Sequence, residues 1–256
     1  MKPAKFHHIQ LNVNQIDKTA EYYKKYFAVN YNENKKEILL LNTTDESYFF
    51  LNEVQHTPDT HLGTSLWHIG WSGINGEEEF NWRTNNGVRV HTPLNPLREH
   101  HWMYFYGPNN EIIEIFTENQ HQNFEHIHLL ASDVDYTSEW FTNYLGLIPE
   151  NEKAIPWSNN LFMWNKLILG DINIMINGKP KQQRTWYPDN GFKPTNTTVL
   201  DRLGFSVENI KEVYDNMTKN GVTILGEIEP NKYNFQPSFL VLGPDNLKIE
   251  VIEKQA

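Results

Sequence analysis

From Phe6 to Val13 apolar and polar positions alternate, with Ile9, Leu11 and Val13 on one side and His8, Gln10 and Asn12 on the other. A period of two marks a strand with one face in a core, and it puts the histidine on the polar face. At Asp17 the spacing lengthens: Ala20, Tyr23 and Phe27 fall on one helical stripe, and Asn14 or Asp17 is available as the cap. The pattern predicts a helix over 17–27, short strands at 37–41 and 47–51, and one more strand around Tyr31. Loop residues 53–65, which include Pro58 and Gly63, close this unit.

The order then starts again. Residues 66–72 predict a strand, 77–85 a helix stopped by Asn86-Gly87, and 88–91 another strand. After a polar, proline-containing segment at 92–99 come strands at 102–106 and 112–116, joined by a Gly107-Pro108-Asn109-Asn110 turn. The second half repeats both units. His8-Ile9-x-Leu11 returns 118 residues later as His126-Ile127-x-Leu129, and His68-Ile69-Gly70-Trp71-Ser72 returns 134 residues later as Arg202-Leu203-Gly204-Phe205-Ser206. Gly107-Pro108-x-Asn110-x-x-Ile113-Glu114 returns as Gly243-Pro244-x-Asn246-x-x-Ile249-Glu250.

The chain is thus expected to be α+β, built of four βαβββ modules. Pairing within each half is the simpler connection, and it divides the chain into two domains. The first is 1–119 (modules 1–52 and 66–119) and carries the candidate metal site; the second is 120–256. The longer spacing of the second half places its extra residues in 177–199. That segment is either a surface loop or a flap over a pocket, and Trp186 and Tyr187 would be the inward-facing members of a flap.

Composition narrows the function. The 256 residues are 39% hydrophobic and 13% aromatic, enough for an ordered core with large side chains to spare for a pocket. A formal net charge of −10 without a Lys/Arg-rich run leaves no footprint for a nucleic-acid backbone. No apolar run approaches the roughly 18 residues of a membrane span, and the polar start lacks a signal-peptide core, so a cytoplasmic location is expected. With no cysteine, any metal must be held by His, Asp or Glu.

Two residues stand out against this background. His68 shares a strand face with Gly70 and Ser72, and Glu114 shares one with Ile112 and Phe116, while Ile69, Trp71, Ile113 and Ile115 face the core. A buried carboxylate is costly without a positive partner, and a divalent metal is such a partner.

The module order, the His-x-x-Leu-x-Val strand at His8, its echo at His68 and the Gly-Pro-x-Asn-x-x-x-Glu hairpin ending at Glu114 together resemble the vicinal oxygen chelate superfamily over essentially the whole length. That superfamily includes glyoxalase I, extradiol ring-cleaving dioxygenases, and fosfomycin- and bleomycin-resistance proteins. The resemblance implies glyoxalase-type domains, in which pairs of modules curl their sheets into cups and ligands come from the first and last strands of a module.

On this basis the metal ligands are expected to be His8, His68 and Glu114 if modules one and two share a cup. If modules two and three pair, as in swapped arrangements of the superfamily, His126 replaces His8. The second half, with His126, Arg202 and Glu250, reads as a spent site, because a guanidinium stays charged and cannot coordinate a metal. Module one has no carboxylate on its closing strand, and Glu53 just beyond is a weak substitute. Two histidines and one carboxylate leave open positions that suit Fe(II), with Mn(II) or Zn(II) as alternatives.

Tyr104 stands where the extradiol signature has its tyrosine, and would hydrogen-bond a metal-bound substrate oxygen; His101 is a candidate acid/base group. Trp102, Gln10 and Phe116 are candidate pocket residues. The functional expectation is a metal-dependent enzyme acting on a small oxygen-chelating substrate, narrowly favoured as an extradiol-type dioxygenase. Alternatives are a glyoxalase-like lyase or isomerase, a thiol transferase, or a metal-free binding protein of the bleomycin-resistance type. The expected partner is a small molecule, and a homodimer is compatible with the sequence.

Overall fold

Alternation and helical spacing materialise as the four modules. In the computed structural model the described residues are 2–254 except 28, 33, 34, 42, 44, 45 and 196, with 31 and 32 described by backbone only. Module one runs β1 (Lys5–Val13), α1 (Ile16–Tyr26), β2 (Val29–Asn32), β3 (Lys35–Leu41) and β4 (Tyr48–Glu53). Module two runs β5 (Leu66–Ser72), α2 (Gly76–Asn85), β6 (Val90–Leu97), β7 (His100–Tyr106) and β8 (Ile112–Phe116). Module three comprises β9 (Phe124–Leu130), α3 (Val134–Leu145), β10 (Ile148–Pro149), β11 (Ile155–Trp157), β12 (Phe162–Leu169) and β13 (Ile172–Asn177). Module four comprises β14 (Leu200–Val207), α4 (Ile210–Lys219), β15 (Thr223–Ile224), β16 (Glu229–Pro230), β17 (Pro237–Leu242) and β18 (Lys248–Glu253).

Local differences from the sequence pattern have local causes. The segment at 92–99 is mostly strand, because β6 is an edge strand and the missing N–H groups of Pro93 and Pro96 cost no ladder bond there. Helix α1 begins one residue after Gln15, which makes no side-chain cap bond; α2, α3 and α4 are capped by Asn75, Asp133 and Asn209.

The modules pair across the halves. β1 runs antiparallel to β14, and β5 runs antiparallel to β9. Modules one and four thus share one curved, open sheet, ordered β15-β17-β18-β14-β1-β4-β3-β2, and modules three and two share the other, ordered β10-β12-β13-β9-β5-β8-β7-β6. We call these the terminal and the central cup. Pairing within a half, which would have joined β1 to β5, does not occur.

Modules one and two instead meet through α1. Tyr22 Oη donates to the Tyr106 carbonyl (2.9 Å), Tyr23 Oη to Glu111 Oε1 (2.6 Å) and Tyr26 Oη to the Asn86 carbonyl (2.9 Å). These bonds tie the helix of one sheet to the other. The apolar faces form one continuous core: Phe6 contacts both Phe124 and Phe205, and Ile9, Leu11, Ile69 and Phe49 are fully buried in it. Each such side chain contributes about 1.5–3 kcal/mol of burial. The polar faces are left to line the cups.

Candidate metal centre

Strand register carries the site. In the central cup Glu114 on β8 lies beside Gly70 on β5, and Gly70 lies opposite His126 on β9. His68 lies opposite His128. Alternation places His68 with Gly70, and His126 with His128, on the concave face. A bulge in β9 between Phe124 and His126 turns Phe124 into the core while keeping His126 in the cup. Gly70 is required at its position, because a Cβ there would overlap the His126 ring.

The result is a four-residue cluster of His68, Glu114, His126 and His128 whose donor atoms all lie within 4.8 Å of one another. Glu114 Oε2 is 2.8 Å from His68 Nε2, 3.0 Å from His126 Nε2 and 3.6 Å from His128 Nε2. On the far side, His126 Nδ1 is 3.3 Å from Glu125 Oε2, and Asn177 Nδ2 donates to His128 Nδ1 at 2.9 Å. Burial lowers the pKa of His68 and of His128. Burial also works against ionisation of Glu114, but hydrogen bonds from His126 and His68 outweigh it and hold the carboxyl well below its usual range. For His126 burial is likewise outweighed, here by the carboxylates of Glu114 and Glu125, and its pKa is raised. Burial thus favours the neutral form of His68 and His128, while the contact between Glu114 and His126 favours the anion on one and the proton on the other.

Aromatic side chains wall this cluster. The Tyr104 ring centroid is 5.0 Å from that of His68, and Tyr104 is paired with Glu114 in the β7–β8 register. Burial, reinforced by the Glu114 charge, raises the phenol pKa well above 10, so the hydroxyl keeps its proton. Trp102 is 5.0 Å from Tyr104 and is paired with Phe116. Trp67 packs against His68 (4.4 Å), and Trp186 from the 178–199 segment stacks on Trp67 (4.6 Å, 17°). Tyr187 from the same segment is buried and donates its hydroxyl to the Ala131 carbonyl at 3.0 Å.

The terminal cup repeats the geometry with other side chains. Gly204 lies opposite His8 and beside Glu250, and a Cβ at Gly204 would overlap the His8 ring. Here Arg202 Nε pairs with Glu250 Oε2 (2.9 Å), Asn231 Nδ2 donates to Glu250 Oε1 (2.5 Å), and His8 Nε2 is 3.4 Å from Oε2. Arg202 Nη2 donates to Gln10 Oε1 (2.5 Å). Asp201 takes Lys248 Nζ (2.6 Å), Gln10 Nε2 (3.2 Å) and Arg202 Nη1 (3.4 Å). A guanidinium and an ammonium thus lie against the two carboxylates, and His8 is the one imidazole beside Glu250 among the described residues.

Against solved structures, the chain superposes along its length on glyoxalase I from Zea mays, with a TM-score of 0.77 at 12% identity, covering 98% of this chain and 92% of that one. It also superposes on a putative dioxygenase from Bacillus subtilis, with a TM-score of 0.66 at 12% identity, covering 100% of this chain and 86% of that one. The fold is that of the vicinal oxygen chelate superfamily. No family model and no curated protein matches the sequence.

Within the vicinal oxygen chelate fold, several sequence expectations need correction. His8 does not join His68 and Glu114, because β1 pairs with β14; His126, named as its replacement, does. Gln10 lies in the terminal cup, bonded to Asp201 and Arg202, and not in the pocket of the His68 cluster. His101 points away from Tyr104 and Trp102 by strand alternation; its Nδ1 is 3.1 Å from Glu118 Oε1. Glu53 lies at the end of β4, near the start of α1.

Three contributors escaped the sequence pattern. His128 follows His126 at the strand period, a signal that was present. Trp67 reaches the cup through a bulge in β5, and Glu125 through the bulge in β9, and neither bulge is marked by a glycine.

Three imidazoles and one carboxylate, mutually within reach and with two imidazoles favoured as neutral, fit a divalent first-row metal.

Proposed function

We propose that this protein is a metal-dependent enzyme acting on a small substrate that offers the metal adjacent oxygens. The convergence of His68, Glu114 and His126 from β5, β8 and β9 carries this reading. His68, His126 and Glu114 would hold the metal, with His128 as a fourth imidazole at its side, and two histidines with one carboxylate suit Fe(II). When bound, such an ion supplies Lewis-acid polarisation of substrate oxygens and open coordination positions.

The chain's own groups do the rest. Glu125 fixes the tautomer and orientation of His126 through Nδ1, as outer partners of metal-bound histidines do. Tyr104 keeps its proton and is a hydrogen-bond donor towards a substrate oxygen beside His68. Trp67, Trp102 and Trp186 exclude water and favour a flat, apolar substrate body.

Ring-opening dioxygenation of a catechol is the finer proposal, supported by the two-histidine, one-carboxylate set and by Tyr104. The full-length likeness to glyoxalase I supports a second reading, a lyase or isomerase on the same cluster.

Elemental analysis of untagged protein purified without chelators tests the common part: wild type and His8→Ala are expected to carry metal, and His68→Ala and His126→Ala to lose it. Equal metal content in all four would remove the site. For the finer part, iron-loaded protein is held anaerobically with a catechol panel before oxygen is admitted. No oxygen uptake by metal-replete protein would remove dioxygenation and leave the lyase or isomerase reading.

A further inference from the structure

The terminal cup is closed to metal by Arg202, yet it is not filled. A cavity of about 700 Å³ opens on its concave face; among the described residues its lining comes from modules one and four, with none of the His68 cluster. Its floor is apolar: Ile38 and Leu40 from β3 and Tyr48 and Phe50 from β4 present the face opposite to Leu39, Leu41, Phe49 and Leu51, which are in the core. Tyr233 lies over Phe50, with ring centroids 4.3 Å apart and planes at 23°.

Charge at the rim runs against the chain as a whole. Across the sequence 32 acidic residues outnumber 22 basic ones, whereas among the described residues the cavity is lined by Lys5, Lys35 and Lys254 against Glu46, with Lys254 Nζ also 3.5 Å from Glu208 Oε1. Lys35 Nζ donates to the Tyr233 carbonyl at 3.2 Å, which anchors that cation beside the aromatic floor.

The Tyr233 side chain supplies a third observation. Its residue is 3% exposed, and its hydroxyl is buried with no hydrogen-bond partner among the described residues. A buried hydroxyl left unsatisfied is costly, and a ligand oxygen would satisfy it. Burial also pushes the phenol pKa up, so the hydroxyl is a donor at neutral pH.

We propose that this cavity is a metal-independent binding site for an aromatic carboxylate, its ring on the Tyr48–Phe50–Tyr233 floor and its carboxylate towards Lys35, Lys254 and the Tyr233 hydroxyl. An apolar floor of this extent favours an organic anion over inorganic phosphate, and the lysine excess selects against a cation. The site is separate from the proposed metal centre and stands or falls without it.

Calorimetric titration of the full chain with 2-naphthoate tests the proposal, with uncharged 2-naphthamide as the control of equal shape. One saturable site per chain is expected, at least about tenfold weaker for the amide and for the Lys35→Met/Lys254→Met double variant, since charge-assisted hydrogen bonds are lost. Tyr233→Phe is expected to weaken binding about fivefold through loss of one hydrogen bond. Metal-stripped protein and His68→Ala should bind as wild type does. The proposal is overturned by an absence of saturable binding at millimolar naphthoate, by equal affinity for the amide, or by binding indifferent to both the lysine pair and Tyr233. Loss of binding in His68→Ala also overturns it, by placing the probe in the central cup. Lys254 is exposed and Lys35 lies at the cavity rim, so the double variant is expected to fold even if Tyr233→Phe does not.

Discussion

In the central cup the carboxylate of Glu114 meets three imidazoles; in the terminal cup Glu250, at the equivalent place, meets one imidazole, an amide and the guanidinium of Arg202. The backbone is the same, including the glycine that makes room for the facing histidine. The difference shows how little separates a cup whose side chains could hold a cation from one that carries its own. An imidazole can give up its proton and offer a lone pair to a guest ion. A guanidinium has no lone pair and brings its own charge.

The sharpest way to break this comparison is to remove the terminal cup's internal cation. Arg202→Met leaves Glu250 buried without its guanidinium partner, which is expected to cost about 3–5 kcal/mol in urea unfolding while metal content stays unchanged. A neutral result would mean that Arg202 does not stand in for a metal.

The paired glycines give the next largest effect. Gly70→Ala and Gly204→Ala each force a Cβ into a histidine ring, at a cost of about 1–3 kcal/mol. Only Gly70→Ala should also lower metal content by elemental analysis, because only its histidine is in the cluster; a matching loss in Gly204→Ala would erase the distinction between the cups.

The effect that is smallest near neutral pH is a slope with pH. Burial first, then a neighbouring histidine, lowers the pKa of His7 in the terminal cup and of His61 near His68 from 6.5 to about 3 in each case. Between those values the unfolded chain binds protons that the folded chain refuses. Stability is therefore full above 6.5 and falls as pH drops towards 3, by at most about 1.4 kcal/mol per pH unit for each histidine. His7→Gln and His61→Gln should each flatten the curve of urea midpoint against pH. An unchanged slope in either variant would remove that histidine as a source.

Particular residues show where sequence reasoning succeeds and where it stops. His68 and Glu114 were legible because strand period alone puts them on polar faces, and a carboxylate on a strand with isoleucines on both sides of it demands a positive partner. His101 was misplaced by one residue, which in a strand is the difference between two faces. Trp67 and Glu125 depend on bulges with no glycine to announce them, and Pro93 and Pro96 suggested a loop because nothing in the sequence says which strand lies at a sheet's edge.

Short-range pattern by itself determined the four modules and the apolar and polar faces of their strands. It could not determine which modules share a cup. His8 could face Gly70 as readily as Gly204, and His126 could face either, so both pairings satisfy every local rule. Contacts between elements far apart in the chain made the choice. β1 pairs with β14 and β5 with β9, while the hydroxyls of Tyr22, Tyr23 and Tyr26 tie α1 to module two from behind the sheets. That pairing brings His126, and not His8, to His68 and Glu114.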